Sequence, residues 1–366
     1  MNEEAIVRPY RNGDEDEVVE LLIRVFKGWP HFDLQCTPLD HWRWKHEDNP
    51  TKIKVAAVSE SNGKIVGCFH GLYSRVKVGE KTLLNQQGTD LAVDKDFRGM
   101  GLYEKMRPIK DALAHDAKVN IGYALSTNPI VKKRLREHNR PFPSPLRLMS
   151  KIWDIDLHLK MTNSLEKITH RYGYLGLNAV NRLRNTFAQK KGISRDLEIN
   201  PIKTFDEGID RFWREVSTNY SFIIERDASY LNWRYCDKRG GDYVIRQATE
   251  GGMVLGYIVL RINRYEEGYP VGYVVDLLTL PDRLDVAYAL LSDADGFFSE
   301  QGVNIVQAMV FKGHPYERLL KEYNFINSVT KYHLGYRIYS LGDELEELET
   351  APPGRLHFTW GDLDWI

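Results

Sequence analysis

Two periods alternate along this chain, and the switches between them mark out its elements. The run Ile6-Val7-Arg8-Pro9-Tyr10 predicts a short strand. After Gly13 and an acidic stretch, Val18, Leu21, Leu22, Val25 and Phe26 recur at helical spacing, with Asp14 or Asp16 suited to the helix start. Residues 39–46 form an aromatic-rich segment that ends at Asn49-Pro50. Residues 55–58 and 65–72 alternate as strands joined by a turn at Ser61-Asn62-Gly63. Residues 89–93 predict another strand, Asp94 to Asp96 a turn, and Leu102, Met106, Ile109 and Leu113 a helix over 102–115. A strand over 121–126 follows, then a basic helix opened by Asn128-Pro129 and carrying Lys132, Lys133, Arg134 and Arg136. A strand over 146–153 closes the first half.

The pattern then repeats. Trp42-Arg43-Trp44 is echoed by Trp233-Arg234-Tyr235, and Gly63-Lys64-Ile65-Val66-Gly67 by Gly252-Met253-Val254-Leu255-Gly256. Asp90-Leu91-Ala92-Val93 finds Asp276-Leu277-Leu278-Thr279, and Asn120-Ile121 finds Asn304-Ile305. The order is kept and the spacing nearly constant, which points to duplication. Between the copies, Ile168, Tyr172, Leu175, Ala179, Leu183 and Phe187 alternate with Arg171, Arg182, Arg184, Lys190 and Lys191, the pattern of an amphipathic basic helix. It reads as a linker packed on the two domains, with a membrane-surface helix as the other reading. The boundaries that follow are a first domain over 1–155, a helical linker over 156–200, a degenerate second copy over 201–340 and a tail over 341–366. The aromatic tail from His357 to Ile366 is expected to dock rather than hang free.

At 366 residues two domains are the ordinary expectation. A net charge of -1 gives no reason to expect a nucleic-acid partner held by bulk charge. No run approaches the roughly 18 to 20 apolar residues that span a bilayer, so membrane contact is limited to a peripheral one. Cys36, Cys68 and Cys236 lack disulfide or metal-ligand spacing, and the acidic N-terminus lacks an apolar signal region; both point to the cytoplasm and to a site without a metal. Nothing in the sequence fixes an oligomeric state.

Chemistry concentrates where the strand at 89–93 breaks into Arg98-Gly99-Met100-Gly101-Leu102-Tyr103 and then a helix. Glycines at a helix N-terminus leave unpaired N–H groups facing outward and let a phosphate approach the backbone, and Arg98 adds a fixed charge. The second copy reads Leu280-Pro281-Asp282-Arg283 at this place, so only the first is expected to hold a cofactor.

This stretch resembles the cofactor signature Arg/Gln-x-x-Gly-x-Gly/Ala of the GNAT (GCN5-related) N-acetyltransferases, departing from it at Tyr103, where the family has a small residue. The resemblance covers roughly residues 5–153, with a weaker echo over 203–340. It implies an α/β fold of two tandem GNAT-like domains, each a mixed, mostly antiparallel sheet flanked by helices. It also implies acetyl-CoA as acyl donor and direct attack by a small-molecule amine such as an amino sugar, an aminoglycoside-like compound or an amino-acid derivative. The backbone of Leu91, Ala92 and Val93 would then pair with the pantetheine arm, and Phe97, Arg98, Gly99, Met100, Gly101, Leu102 and Tyr103 would hold the pyrophosphate. Asn128 would face the arm.

The reaction also needs a base and an acid. Many family members place a Tyr acid on the helix after Asn128, but that helix has none, leaving His138, Tyr123 or Tyr103 as substitutes. Asp90 is the candidate base, with a structural carboxylate as the alternative. Trp42, Trp44 and Glu47 could offer aromatic faces and a carboxylate to a polyol amine, or else pack in the core, as repeated aromatics usually do. Two other functions fit the same outline: a Fem-like aminoacyl transferase, which needs no CoA cradle, and a non-catalytic acyl-CoA sensor.

Overall fold

The computed structural model describes residues 5–30, 33–126, 133, 137–161, 196–264, 269–328, 330, 332–340 and 342–364. The expected basic helix after Asn128 is described only at 133 and 137–138, and the linker helix lies almost wholly outside the described residues. Among the described residues no helix is long and apolar enough to cross a membrane.

The protein is of the mixed α/β class and divides into two compact units, each carrying a mixed sheet flanked by helices. Neither unit is a continuous half. The first joins Met1–Phe142, Ser229–Gly241 and Leu334–Thr350; the second joins Pro143–Ala228, Asp242–His333 and Ala351–Ile366.

In the first unit the strands are β1 (Ile6–Pro9), β2 (Val55–Ser61), β3 (Lys64–Val78), β4 (Lys81–Val93), β5 (Ile121–Ser126) and β6 (Arg140–Pro141). Its helices are α1 (Glu15–Phe26), α2 (Pro38–His46) and α3 (Leu102–Asp116). The β2–β3 hairpin turns at Asn62-Gly63, both at positive φ (52° and 72°), as a tight two-residue turn requires. Alternation along the strands sorts their side chains onto two faces. Val58, Ile65, Cys68 and Ala92 pack under α1 and α2 with Leu21, Leu22 and Trp42, while Ala57 and Val66 pack under α3 with Leu102 and Met106.

Strand β4 organises this sheet. It runs antiparallel to β3, but the register shifts between Cys68 and His70, leaving a bulge at Asp90, whose φ is 47°. On its other edge it pairs in parallel with β5 over only three positions, Asn85 with Ile121, Gln86 with Gly122 and Gln87 with Tyr123. Beyond them the two strands part.

The strand on the far side of β5 comes from late in the chain: His333–Ile338, which in turn pairs with β6 through Tyr336 and Gly335. Conversely, β7 (Leu146–Ile152), expected to close the first half, runs antiparallel in the second unit's sheet, Leu146 opposite Phe311 and Ile152 opposite Ile305. Each half thus contributes its closing strand to the other unit. The two compact units are thus divided differently from the boundaries expected at 155 and 201: apolar alternation announces a strand but not the edge on which it pairs.

The second unit's strands are β7, β8 (Leu197–Ile202), β9 (Phe222–Ile224), β10 (Val244–Glu250), β11 (Met253–Asn263), β12 (Val271–Thr279), β13 (Ile305–Phe311) and β14 (Ile326–Asn327). The late-chain strand of the first unit is β15 (His333–Ile338). The second sheet runs β14-β7-β13-β12-β11-β10-β8, around a core to which the helix Leu284–Glu300 gives Val286, Leu290, Ala294 and Phe298. Here too the two central parallel strands, β12 and β13, pair over a short stretch, Val271–Val274 with Ile305–Ala308. Phe222 of β9 bridges Leu356, and Leu356, Phe358, Trp360 and Leu363 are buried, so the tail is an integral part of this unit.

Candidate active site

Where β4 and β5 part, the first unit has a cavity of about 170 Å³ between the strands and α3. Gly88 and Leu91 of β4, Gly122 and Tyr123 of β5, and Tyr103, Arg107, Lys110 and Asp111 of α3 line it, with His138, Arg337 and Tyr339. A second cavity of about 420 Å³ shares Tyr103, Arg107, Asp111 and His138 and continues along α3. The α3 contributors sit at i, i+4, i+7 and i+8, one face of the helix.

The backbone at this opening has hydrogen-bonding groups to offer. The Asp94 N–H donates to Val66 O on β3 at 2.8 Å, so strand alternation turns the groups of Val93 to the other edge, which β5 has left. At the end of β4 the turn Lys95–Phe97 leads into Gly99 and Gly101, with φ of 84° and 71°, a left-handed backbone that glycine adopts without strain. Gly101 caps α3, and a Cβ built on either glycine would meet no atom within 4 Å, so the space above the loop is open. Arg98 reaches back to Val93 O at 3.2 Å, and Leu102 and Phe97 anchor the loop in the core beside Met106. An open helix start, a guanidinium beside it and a strand edge beyond fit a long ligand with a phosphate at one end.

The second unit has the same strand geometry and closes it. Through the repeat, Leu277 and Thr279 match Leu91 and Val93. The Leu277 carbonyl accepts from His357 Nε2 at 3.1 Å, and the Thr279 N–H donates to the Tyr316 hydroxyl at 2.9 Å. Tyr220 packs edge-on against His357 at 5.5 Å. Side chains there occupy the backbone groups that the first unit leaves for a ligand.

The candidate base, Asp90, lies in a closed cluster. Its Oδ2 accepts from Lys45 Nζ at 2.7 Å and from His46 Nε2 at 3.0 Å, and its Oδ1 from Trp29 Nε1 at 3.1 Å. Burial opposes its ionisation, but the Lys45 ammonium and His46 override this and hold the carboxyl well below the usual range. Asp276, its counterpart, is fully buried, with Arg226 Nε at 3.2 Å and the Tyr257 hydroxyl at 2.9 Å. A buried Asp carboxylate facing a cation therefore recurs in both units, including the one whose opening is closed.

His46, His70 and Asp90 also bring ligand-type atoms within 4.8 Å of one another. The Lys45 ammonium already stands at the shared carboxylate oxygen, and His70 Nε2 accepts from the Trp42 indole at 3.3 Å. Burial pushes His70 down to about 3, so it is neutral. The shared carboxylate oxygen is thus taken by a protein cation, while His70 Nδ1 is buried with no hydrogen-bond partner among the described residues.

Trp42 and Trp44 are core residues. Trp42 is fully buried, and Trp44 stacks on Trp233 with ring centroids 4.9 Å apart. Each indole of that pair donates to the other's backbone carbonyl, at 2.9 and 3.0 Å. The two indoles thus make a reciprocal contact, and neither ring leaves a face for substrate. Glu47 pairs with Lys54 at 2.7 Å. Of the expected acids, Tyr103, Tyr123 and His138 all line the cavity. Asn128 lies outside the described residues.

Sequence reasoning missed the charged part of the cavity wall. Tyr103, Arg107, Lys110 and Asp111 form a polar stripe on α3 that the 3.6-residue period could have disclosed; Arg337 and Tyr339 arrive with β15, which no local signal announces.

Residues 6–130 match the family model described as "Acetyltransferase (GNAT) domain", so the first unit carries a GNAT acetyltransferase domain. No curated protein matches the chain in sequence. Among solved structures, a protein from Enterococcus faecalis V583 described as a probable N-acyltransferase superposes with a TM-score of 0.64 at 12% identity, covering 94% of this chain and 74% of that one. The N-myristoyltransferase of Saccharomyces cerevisiae with bound myristoyl-CoA gives a TM-score of 0.62 at 11% identity, covering 92% of this chain and 79% of that one. These likenesses establish the shared fold.

Proposed function

We propose that this protein is a cytoplasmic acyl-CoA-dependent N-acyltransferase that transfers an acetyl or other short acyl group to the amine of a small molecule. The observation that carries this reading is the three-residue pairing of β4 with β5, open in the first unit beside a glycine loop and closed by Tyr316 and His357 in the second. Acyl-CoA supplies an activated thioester carbonyl. The loop from Phe97 to Tyr103 and the first turn of α3 would hold the pyrophosphate through N–H groups and Arg98. The outward backbone groups of Leu91 and the Val93 N–H would orient the arm, and an N–H of this edge aimed at the carbonyl oxygen would lower the barrier by on the order of 3 kcal/mol. Tyr123, Tyr103 and His138 stand at the cavity to protonate the departing thiolate. With Asp90 committed to Lys45, the amine would react as the free base, its proton passing to water.

Calorimetric titration with acetyl-CoA, followed by thiol release across a panel of amino sugars, aminoglycosides and amino acids, tests this. The expected result is one site per chain and thiol release above the hydrolytic background for at least one amine. Two sites per chain, or no binding at all, would overturn the reading; binding with background release for every amine would convert the protein into an acyl-CoA sensor.

A further inference from the structure

Resting on the acyl-CoA reading above, we propose that the acyl donor ends in a carboxylate, as in a dicarboxylic acyl-CoA, and that Lys110 recognises this carboxylate at the vertex between β4 and β5. Lys110 lies on α3 with 2% exposure, and its side chain lines the cavity. Its ammonium sits 4.8 Å over the Phe69 ring and has no hydrogen-bond or ion-pair partner among the described residues. Several other polar groups of this wall are engaged. Asp111 receives Arg337 at 2.8 Å, with Arg107 at 3.6 Å, and Gln86 donates to the Tyr339 hydroxyl at 3.1 Å while accepting from Tyr73 at 2.8 Å. The cavity therefore carries one desolvated cation that has no ion pair among the described residues and feels Asp111 only through space, although burying an unpaired charge destabilises a fold. Burial brings Lys110 down to about 8, so the ammonium form persists at neutral pH.

Position separates this cation from the phosphates. Lys110 is nine residues beyond Gly101, about 13 Å along the helix from the N-terminus where a phosphate would bind. It faces Gly88 and Gly122, deeper in the opening than Leu91 and Val93, where whatever extends past the thioester would lie. A long alkyl chain would leave the buried Lys110 ammonium without a direct partner, whereas a terminal carboxylate supplies one.

Titration and initial rates with succinyl- and glutaryl-CoA against the nearly isosteric butyryl- and valeryl-CoA test the proposal, with Lys110→Met, Lys110→Gln and Lys110→Arg as variants. The expected result is a preference of roughly tenfold or more for a carboxylate-ended donor, the size of one charge-assisted hydrogen bond. That ratio should fall towards one in Lys110→Met and Lys110→Gln and persist in Lys110→Arg. Equal affinities in the unmodified protein, or a preference that survives Lys110→Met, overturn the proposal while leaving the N-acyltransferase reading intact. Should no CoA thioester bind, both fall together. The comparison within the unmodified protein decides even if a variant does not fold.

Discussion

At the scale of single residues, the most consequential choice is at Asp90. A carboxylate on the bulge of β4, at positive φ and beside the opening, is well placed on paper to act as a base, and its position is legible in the sequence. Its partners are not, because Lys45, His46 and Trp29 come from distant segments and meet it only in the folded unit. Replacing Asp90 with Asn keeps the shape and removes the charge that faces the buried Lys45 ammonium. The cost should be about 3–5 kcal/mol, read as a lower urea midpoint. The pH dependence has a definite sign. The folded-state pKa of Asp90 is depressed, so its contribution is present above the unfolded carboxylate value of about 3.9 and is lost as pH falls towards the lowered folded value. The unmodified protein should therefore lose stability on acidification more steeply than Asp90→Asn; parallel profiles would show that the ion pair contributes nothing.

Elements, rather than residues, decide where a ligand can enter. The strand at 89–93, the glycine loop and the following helix are all readable from local pattern, since two glycines at positive φ and an apolar 3.6-residue spacing are local properties. The parting of β4 and β5 is implied only by family resemblance, because where a parallel ladder stops depends on both strands. The aromatic segment shows the opposite failure: Trp44 announces itself by size, yet its stacking on Trp233 buries the face that would have met a sugar. The loop itself offers a clean test. Gly101 caps α3 at φ 71° with open space around it, so Gly101→Asp places a carboxylate where the phosphate would bind and adds modest left-handed strain. Acetyl-CoA affinity should drop at least about a hundredfold, because two to three charge-assisted hydrogen bonds to the phosphates would no longer form, while the thermal midpoint shifts by only a few degrees. Unchanged affinity would reduce the loop to a turn.

For the whole molecule, two compact units that interleave along the chain are the governing fact. The repeat suggests a cut near residue 155, yet a fragment 1–155 lacks two segments of its own unit. Without Ser229–Gly241, Trp44 loses the ring stacked on it, and His41 loses the Arg239 carbonyl 2.7 Å from its Nδ1. Without Leu334–Thr350, β5 becomes a bare sheet edge, and Asp111 loses Arg337 while Gln86 loses Tyr339. The fragment would also carry β7, an apolar strand whose neighbours β13 and β14 lie in the missing part. Exposed edges of this kind pair with other chains. Expressed alone, residues 1–155 should be insoluble or lack a cooperative unfolding transition and should not bind acetyl-CoA; co-expression with residues 156–366 should restore both properties. A soluble fragment with a cooperative transition and acetyl-CoA affinity like that of the full chain would mean that the exchanged strands are dispensable, and that each copy folds by itself as its sequence first suggests.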